Sequence, residues 1–370
     1  NLGGIEFLIW PTPYLQWNDF VRWFNPKRSS ELSPSEYQGI LWQNSGAEAI
    51  SYICENLIAS SKSKSFNIWL PAYFCGQSLR YLRSVPVKIH FYQLNSKLLP
   101  DFNWLAKATA KESVDIFVHV HYFGRVSGQS ESRIFSDSKN AVLIEDCAHV
   151  ISPRAQNSWL GDYLVFSPHK HFPLPKVGVI ISRKSFKDST GQQNDKFPIA
   201  WVLRQLFRRT LKRTYSAMWQ RQWNGDIVKS LKNYPSNYTV KVACNYLVDY
   251  LYASKIRRNH WSILNKLLMS MSGWQPLMEY SDNDVPYLFG MICDSSMIAQ
   301  ERFNILNKRY KLVMQWPDLP NEIRDRTDVC EFSCDLVDRT LFFFVHQQLN
   351  TNQWQIEIKR AITQIGRENG

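Results

Sequence analysis

The first half of the chain alternates short apolar runs with stretches that have helical spacing. Six of the runs are rich in β-branched and aromatic residues, a composition that is typical of strands. They are residues 65–72 (SFNIWLPA), 87–94 (VKIHFYQL), 115–124 (DIFVHVHYFG), 141–148 (AVLIEDCA), 162–169 (DYLVFSPH) and 177–182 (VGVIIS). The last two are joined tightly, which favours an antiparallel arrangement for one of them.

Helical patterns lie between several of these runs. Two of them cover residues 76–84 and 103–111. A third begins upstream at Gly46 and continues through Leu57, with Asn44 and Ser45 as candidate capping residues. This alternation predicts βαβ units and an α/β domain with a mainly parallel, mixed sheet flanked by helices. The helix that begins at Gly46 is expected to point its N-terminus at the strand ends.

The second half of the chain has a different pattern. Residues 183–236 are polar, basic and poor in strands, and we interpret them as a helical linker region of the first domain. Beyond them, we expect helices at 237–270, 297–309 and 352–365 and strands at 286–293 (PYLFGMIC) and 339–346 (RTLFFFVH). The sequence thus predicts a large α/β domain over residues 1–236 and a smaller α+β domain over residues 237–370.

Length and composition fit this two-part organisation. With 370 residues, of which 44% are hydrophobic and 14% aromatic, the chain can bury a large core and a smaller one. It contains no run of eighteen apolar residues, and its first residues lack the features of a signal peptide, so we expect a cytoplasmic protein. The seven cysteines are scattered, which favours free thiols over disulfides. Cys330 and Cys334 lack two further ligands at the spacing that a zinc site needs.

The net charge of +12 is concentrated in one segment, residues 184–221. Apolar residues recur there at helical spacing, at Leu203, Leu206, Phe207, Leu211, Met218 and Trp219. The basic residues between them include Arg204, Arg208, Arg209, Lys212, Arg213 and Arg221, so the segment predicts an amphipathic helix with a basic face. Three interpretations are open: a solvated helix face, a site for anionic ligands, or a contact with a membrane surface. No nucleic-acid-binding motif accompanies the charge, and we expect no nucleic-acid partner.

Candidate chemistry lies at the ends of two adjacent predicted strands. Asp146 ends the run AVLIED, and Lys170 follows the run DYLVF after three residues. A charged group without a partner is expensive to bury, and ligands bind beyond the carboxyl ends of the strands in an open α/β sheet. Asp146 and Lys170 are therefore expected to face one crevice. The alternative for Asp146 is an ordinary cap or ion pair with a nearby basic residue.

The ordered set of motifs resembles one protein family. LIEDCAH, followed by WLGDYLVFSPHK and a glycine-containing strand, is similar to the DegT/DnrJ/StrS family of pyridoxal-phosphate (PLP) sugar aminotransferases. QNSGAEAI resembles the phosphate-binding helix start of the family, and LPAYFCG and VHYFGR resemble two of its strand ends. KIRRNHW, VPYLFGMI, WPDLP and LFFFVHQ resemble its C-terminal segments. The resemblance covers roughly residues 38 to 365 and implies the fold-type I transferase fold.

The resemblance also implies roles for particular residues. Lys170 is the residue that would hold the PLP aldehyde as a Schiff base and act as acid and base, and Asp146 would keep the ring nitrogen protonated. The backbone of Gly46 and Ala47 would bind the phosphate, with a further hydrogen bond from Ser167. Phe74, or alternatively Tyr73, would cover the ring, and His149 would bind its 3-oxygen. Ordinary structural roles are open for Phe74, His149 and Ser167.

Some positions depart from the family pattern. Family members often have an acidic residue and two glycines after the lysine, whereas this chain has Pro175, Lys176, Val177 and Gly178. Lys176 is thus a second amine near the predicted site. Glu48 is a further departure, because a carboxylate facing the predicted phosphate would repel it.

We therefore predict an enzyme, a PLP-dependent aminotransferase. The family implies an amino-acid donor, glutamate, a nucleotide-linked keto sugar as acceptor, and a homodimer. Two alternatives are a PLP-binding protein without turnover, with a regulatory or assembly role, and a peripheral membrane protein bound through the basic helix. The sequence does not name the keto substrate or the residues that a second subunit contributes.

Overall fold

The computed structural model describes residues 13–15, 19, 32, 36–61, 65–156, 158–184, 196–210, 234–269, 271–308, 311–317, 319–325 and 327–368. Their main feature is a seven-stranded sheet in the order β1-β7-β6-β5-β4-β2-β3. Its strands are β1 (Gly39–Gln43), β2 (Phe66–Pro71), β3 (Val87–Tyr92), β4 (Ile116–Val120), β5 (Val142–Cys147), β6 (Tyr163–Phe166) and β7 (Gly178–Ser182). Strands β6, β5, β4, β2 and β3 run parallel, whereas β7 is antiparallel to both β6 and β1.

All six predicted strands form, and the antiparallel pairing of the last two is confirmed. The central strands are largely buried on both faces, which explains why β4, with the sequence IFVHV, is apolar at four of its five positions. Strand β1 was not predicted. It is a five-residue strand that pairs with β7 alone.

The helices of the first part begin at recognisable caps. They are α1 (Gly46–Ala59), α2 (Leu79–Leu82), α3 (Phe102–Ala108) and α4 (Gln129–Ser138). Ser45 caps α1 by accepting a hydrogen bond from the Glu48 N–H at 3.2 Å, and Asp101 caps α3. The predicted helices at 46–57 and 103–111 are confirmed, while residues 76–84 contain a 3₁₀ turn, Gly76–Ser78, followed by α2. Helix α4 was not predicted.

The predicted basic helix forms in part, as α5 (Ile199–Thr210), and residues 211–221 lie outside the described residues. The predicted orientation of this helix is wrong at Leu203, which is 46% exposed. Val202 and Gln205 occupy the buried face instead.

The C-terminal part contains a second sheet of four antiparallel strands in the order β10-β11-β9-β8. The strands are β8 (Trp274–Pro276), β9 (Leu288–Cys293), β10 (Val313–Met314) and β11 (Thr340–Phe344). The helices are α6 (Asn237–Val248), α7 (Leu251–Leu268), α8 (Ser296–Asn307), α9 (Asn321–Arg324), α10 (Thr327–Arg339) and α11 (Thr351–Glu368). The predicted strands at 286–293 and 339–346 and the predicted helices at 297–309 and 352–365 are confirmed, whereas the predicted helical region 237–270 forms two helices, α6 and α7, that are separated at residues 249 and 250. Strands β8 and β10 and helices α9 and α10 were not predicted.

The second sheet lies entirely after residue 236, the predicted domain boundary, which stays a prediction. Helix α6 also follows this boundary, yet its residues Ala243 and Leu247 pack in one apolar cluster with Cys147 and Ile151 of the first part. The described helices include none that is both long and apolar enough to span a lipid bilayer.

The two sheets are joined near the carboxyl end of β4. The carbonyl of Phe123 accepts hydrogen bonds from the Tyr287 N–H at 2.8 Å and the Tyr280 hydroxyl at 3.0 Å. Gly124 is required at this junction, because it has a φ of +93° and a Cβ there would lie 2.0 Å from the carbonyl oxygen of Val285. The close approach brings β9 and its neighbours against the carboxyl edge of the first sheet.

Candidate active site

A cavity of about 460 Å³ lies between the carboxyl edge of the first sheet and the second sheet. The structure brings all seven predicted site residues to its wall: Gly46, Ala47, Phe74, Asp146, His149, Ser167 and Lys170. The opposite wall comes from the C-terminal part and includes Arg257, Tyr287, Trp316, Phe344 and His346. The cavity is large enough for a small organic ligand.

Asp146 is the single acidic side chain among the described residues that line the cavity. It lies near the end of β5, is 8% exposed, and accepts a hydrogen bond from the Ala148 N–H at 3.0 Å. Burial raises the pKa of its carboxyl group, and the positive charge of Lys170 acts in the opposite direction. One carboxylate oxygen has no recorded partner in the described part of the chain. Asp146 can therefore accept a further hydrogen bond from a cationic group in the cavity.

Lys170 lies in a 3₁₀ turn, Pro168–Lys170, that directly follows β6. Its backbone N–H donates to the carbonyl of Ser167 at 3.0 Å, and its side chain makes no ion pair within the described residues. Burial lowers the pKa of the amine, while the charge of Asp146 partly restores it. A larger fraction of this amine is therefore neutral and nucleophilic near pH 7 than for an exposed lysine.

Two neutral histidines hold the backbone on either side of Lys170. The Nδ1 atom of His169 lies 2.8 Å from the carbonyl oxygen of Val177, and burial lowers the pKa of this histidine to about 4. The Nε2 atom of His171 lies 3.3 Å from the carbonyl oxygen of Ala148. Because His169 reaches forward along the chain and His171 reaches back to the end of β5, the turn that carries Lys170 is fixed at both sides.

The N-terminus of helix α1 forms one pole of the cavity, together with Ser167. The first N–H groups of a helix have no partner within the helix, so those of Gly46 and Ala47 are available to a ligand. A Cβ at Gly46 would lie 2.4 Å from the Oγ atom of Ser167, which shows how closely the serine approaches the helix start. The Ser167 hydroxyl has no hydrogen-bond partner among the described residues. This pole offers several donors and a favourable helix dipole to an anion.

Glu48 does not face this pole. Its Oε2 atom accepts a hydrogen bond from the Asn44 side chain at 3.2 Å, and its carboxylate is also hydrogen-bonded to the Tyr81 hydroxyl. The residue does not line the cavity. The repulsion that the sequence suggested for an anion at the helix start is therefore absent.

Aromatic rings cover the middle of the cavity. Tyr73 and Phe74 both line it, and Tyr73 stacks on Trp316 with ring centroids 5.1 Å apart. His149 lies between Tyr287 and Phe123, with centroid distances of 4.7 and 5.5 Å and interplanar angles of 11° and 14°. The walls thus favour a flat ligand.

The protonation of His149 follows from its surroundings. Burial lowers the pKa of this histidine well below its usual value, and the charge of Lys170 contributes in the same direction. The Nδ1 atom accepts a hydrogen bond from the Phe123 N–H at 3.3 Å, so we assign the proton to Nε2. The neutral ring is therefore a hydrogen-bond donor at Nε2.

Four basic side chains line the cavity: Arg80, Lys170, Lys176 and Arg257. The sequence analysis did not identify Arg80 or Arg257, nor the aromatic residues Tyr287 and Trp316, because no motif marks them. Arg257 is 1% exposed on α7, and its guanidinium donates to the carbonyls of His171 and Pro286 and to the Gln347 side chain at 3.0 to 3.3 Å. Burial lowers its pKa to about 10, so it remains charged at pH 7. The cavity as a whole favours anionic ligands.

No protein-family model matches the sequence, and no curated protein matches it. Solved structures do match the fold. Helicobacter pylori PseC, an aminotransferase involved in the biosynthesis of pseudoaminic acid, has a TM-score of 0.69 at 13% identity, over 96% of this chain and 98% of PseC. The PLP form of Spr1654 from Streptococcus pneumoniae, a putative sugar aminotransferase, has a TM-score of 0.68 at 13% identity, over 98% and 99% of the two chains. GDP-4-keto-6-deoxy-D-mannose-3-dehydratase from E. coli, with bound hydrated PLP, has a TM-score of 0.67 at 14% identity, over 95% and 98%.

These matches cover nearly the whole of each chain, and they confirm the predicted fold class. The chain has the α/β fold of the fold-type I PLP-dependent transferases, with a large mixed sheet and a smaller C-terminal α+β part. At 13 to 14% identity they establish the fold and leave the activity to be argued from the site.

Proposed function

We propose that this protein is a PLP-dependent aminotransferase that transfers an amino group from an amino acid to a keto sugar. The observation that carries the proposal is the placement of Asp146 and Lys170 in one cavity, at the ends of the adjacent strands β5 and β6, beside the N-terminus of α1. An acid, an amine and an anion site are the three groups that PLP needs. The structural similarity to two aminotransferases and to a PLP-containing dehydratase supports this assignment.

The residues present fit the phosphate of PLP. The N–H groups of Gly46 and Ala47 and the hydroxyl of Ser167 would donate to its oxygens, and the helix dipole of α1 would favour its negative charge. The fit rests on the close contact between Gly46 and Ser167 and on the Ser167 hydroxyl, which has no other described partner. The carboxylate of Glu48 points away from the cavity and is hydrogen-bonded to the Asn44 side chain, so it does not repel a phosphate at this site.

The residues present also fit the pyridine ring. Asp146 would accept a hydrogen bond from the protonated ring nitrogen, because its carboxylate is buried and has a free oxygen. His149 would donate from Nε2 to the 3-oxygen. Phe74 would cover one face of the ring, as the sequence analysis expects, although Tyr73 also lines this part of the cavity.

When bound, PLP supplies an electron sink that stabilises negative charge at the substrate Cα. Asp146 would keep the ring nitrogen protonated and so maintain that sink. The Nζ atom of Lys170 would hold the aldehyde carbon covalently at rest, and after displacement by the amino donor it would carry a proton between the substrate Cα and C4′. The lowered pKa of Lys170 suits this task, because the amine must be neutral to accept the proton. The second sheet, which closes the cavity, would exclude water from these steps.

The charge of the cavity supports anionic substrates. One acidic and four basic side chains line it, so an amino donor with two carboxylates, such as glutamate, or an acceptor with a diphosphate would be attracted. We therefore propose glutamate as the donor and a nucleotide-linked keto sugar as the acceptor. We also propose a cytoplasmic homodimer, in which a second subunit completes the site.

The test combines spectroscopy with a half-reaction. The purified protein should bind PLP with the absorbance of a lysine-bound cofactor, and glutamate should convert that absorbance with release of 2-oxoglutarate. Lys170→Ala should abolish the lysine-bound absorbance, whereas Lys176→Ala, which removes the other nearby amine, should retain it. If the lysine-bound absorbance were lost in Lys176→Ala but not in Lys170→Ala, the cofactor would be bound by Lys176 and the assignment of Lys170 would be wrong. A wild-type protein that binds no PLP would overturn the proposal.

The alternative of a PLP-binding protein without turnover has a distinct outcome in the same test. It predicts the lysine-bound absorbance in the wild-type protein but no conversion by any amino donor. Its motivation was the departures at Lys176, Val177 and Glu48, and the hydrogen bonds of Glu48 to Asn44 and Tyr81 weaken the part that rests on Glu48. The proposed membrane contact of the basic helix is a separate alternative, which salt-sensitive binding to anionic vesicles would support.

A further inference from the structure

We propose that Arg80, assisted by Lys176, binds a phosphoryl group at the pole of the cavity where helix α1 begins. The inference deepens the proposed function, on which it rests, because it assigns the surplus positive charge of the site to a particular chemical group. Neither residue belongs to the phosphate-binding set that the sequence predicted.

Arg80 lies beside the first turn of α1. It is in helix α2, and the hydroxyl of its neighbour Tyr81 is hydrogen-bonded to the carboxylate of Glu48, the third residue of α1. Arg80 lines the same cavity as Ser45, Gly46 and Ala47. The contacts of Tyr81 therefore anchor α2 where Arg80 can reach a ligand at the helix start.

The guanidinium of Arg80 lacks the partners that a half-buried arginine normally has. Its Nε atom is buried without a hydrogen-bond partner, and no carboxylate of the described residues forms an ion pair with it. Its Cζ atom lies 5.1 Å from the centroid of the Tyr81 ring. Because a buried donor without a partner destabilises the fold, the arrangement is explained most simply by an anion that the guanidinium binds.

Lys176 approaches the same pole from another side. It precedes β7, whose first residue, Gly178, packs so closely on the α1 start that a Cβ there would lie 2.8 Å from the backbone N of Gly46. Lys176 is exposed and also lines the cavity. Two cations from different elements therefore line the cavity that contains the start of α1 and the Ser167 hydroxyl.

Arg80 and Lys176 have no individual role in the proposed function, whereas each of the other charged groups of the cavity has a role or is held by hydrogen bonds. In the proposed function Lys170 is used by the aldehyde and Asp146 by the ring nitrogen, and the guanidinium of Arg257 is hydrogen-bonded to carbonyls and to Gln347. A phosphoryl dianion matches two cations in charge, and arginine binds it in a bidentate manner. The phosphoryl group can belong to the cofactor or to the diphosphate of the acceptor, and the two sources give different outcomes below.

The experiment compares Arg80→Gln with the wild-type protein in three titrations. Cofactor-free protein is titrated with PLP and with pyridoxal, which lacks the phosphate, and PLP-loaded protein is titrated with inorganic pyrophosphate by calorimetry. Arg80→Lys keeps the charge, and Lys176→Gln tests the assisting residue. Arg83→Gln is the matched control, since it removes a cation from the end of the same helix. Arg83 binds the carboxylate of Glu322 and does not line the cavity. Thermal unfolding checks that each variant is folded.

If Arg80 binds the cofactor phosphate, Arg80→Gln weakens PLP binding by about tenfold or more and leaves pyridoxal binding unchanged. If it binds the acceptor diphosphate, PLP binding is unchanged and pyrophosphate binding falls by a similar factor. In either case Arg80→Lys has a smaller effect, Lys176→Gln weakens the same ligand, and Arg83→Gln has none.

Unchanged affinity for both PLP and pyrophosphate in a folded Arg80→Gln protein would overturn the inference. Failure of the proposed function looks different, because the wild-type protein would then either bind neither PLP nor pyridoxal, or bind PLP without conversion by any amino donor. The inference about Arg80 would still be decided in that case, by titrating the cofactor-free wild type and Arg80→Gln with pyrophosphate.

Discussion

The contact between strand β7 and the start of helix α1 gives the sharpest stability prediction. Gly178, the first residue of β7, pairs with Gln43 at the end of β1, directly before the α1 cap. A Cβ at this position would lie 2.4 Å from the carbonyl carbon and 2.5 Å from the carbonyl oxygen of Ser45, and 2.8 Å from the N of Gly46. We expect Gly178→Ala to push the helix start away from the sheet and to weaken PLP binding as well as stability.

The magnitude follows from the kind of atoms involved. All three close neighbours are backbone atoms, which cannot change rotamer, and each contact is shorter than an ordinary van der Waals distance. Overpacking of a core usually costs about 1 to 3 kcal/mol, and we expect the upper end here because the backbone must move. For a chain of 370 residues, about 3 kcal/mol lowers the melting temperature by about 4 °C.

The assay is thermal unfolding of the cofactor-free protein, followed by titration with PLP. Gly366→Ala is the matched control, because Gly366 lies near the end of α11 and a Cβ there meets nothing within 4 Å. Alanine in place of a helical glycine should leave stability unchanged or raise it by up to about 1 kcal/mol. If Gly178→Ala melted within a degree of the wild-type protein and bound PLP normally, the close contact of β7 with α1 would be refuted.

Three further predictions concern buried charges. Burial lowers the pKa of His119 from 6.5 to about 3, so only the unfolded chain takes up a proton at this histidine as the pH falls below 6.5. The free energy of unfolding, measured with urea, should therefore fall by about 2 kcal/mol between pH 6.5 and 5 because of this histidine. A free energy of unfolding that does not change with pH in this range would contradict the lowered pKa of His119. Glu145→Gln replaces a fully buried carboxylate that lies 2.7 Å from the His121 Nε2 atom and also accepts a hydrogen bond from the Leu160 N–H, and it should destabilise the fold by about 1 to 3 kcal/mol in the same assay. Unchanged stability would contradict the role of these hydrogen bonds. Arg257→Met leaves buried carbonyl groups without a hydrogen-bond donor and should lower the free energy of unfolding by about 3 kcal/mol. Arg258→Met, at an exposed neighbouring position, should lower it by less than about 1 kcal/mol. Equal losses for the two variants would contradict the difference in burial between Arg257 and Arg258.

The sequence predicts the large sheet well because its central strands are buried on both faces. A strand such as β4 must then be mainly apolar along its length, and the acidic residues Glu145 and Asp146 in the second half of β5 stand out against this pattern. The same logic placed Asp146, Lys170 and the start of α1 at one edge. The prediction follows from strand polarity, because parallel strands bring their carboxyl ends together.

Short or partly exposed elements escape this reasoning. Strand β1 has only five residues and pairs with one neighbour, so its sequence carries little periodicity. Helix α5 was predicted, but Leu203, which the prediction placed on the apolar face, is exposed, whereas its neighbour Val202 is buried. Hydrophobic spacing alone does not tell which of two adjacent apolar residues faces the core.

The missed site residues show a second limit. KIRRNHW contains two adjacent arginines, and the sequence gives no reason why Arg257 is 1% exposed while Arg258 lies on the surface. Arg80 belongs to a helix of only four residues with no motif around it. Their relevance depends on distant elements, because Arg257 donates to the carbonyl of His171 and Arg80 lines the same cavity as the start of α1. Such contacts are formed only in the folded chain.

The central claim is that Lys170 holds PLP opposite Asp146, and its most direct test is chemical labelling. The purified protein is incubated with PLP and reduced with borohydride, and the modified peptide is identified by mass spectrometry after proteolysis. We predict a single phosphopyridoxyl group on Lys170, lost in Lys170→Ala and retained in Lys176→Ala. A label on Lys176, labels scattered over surface lysines, or no label at all would contradict the account.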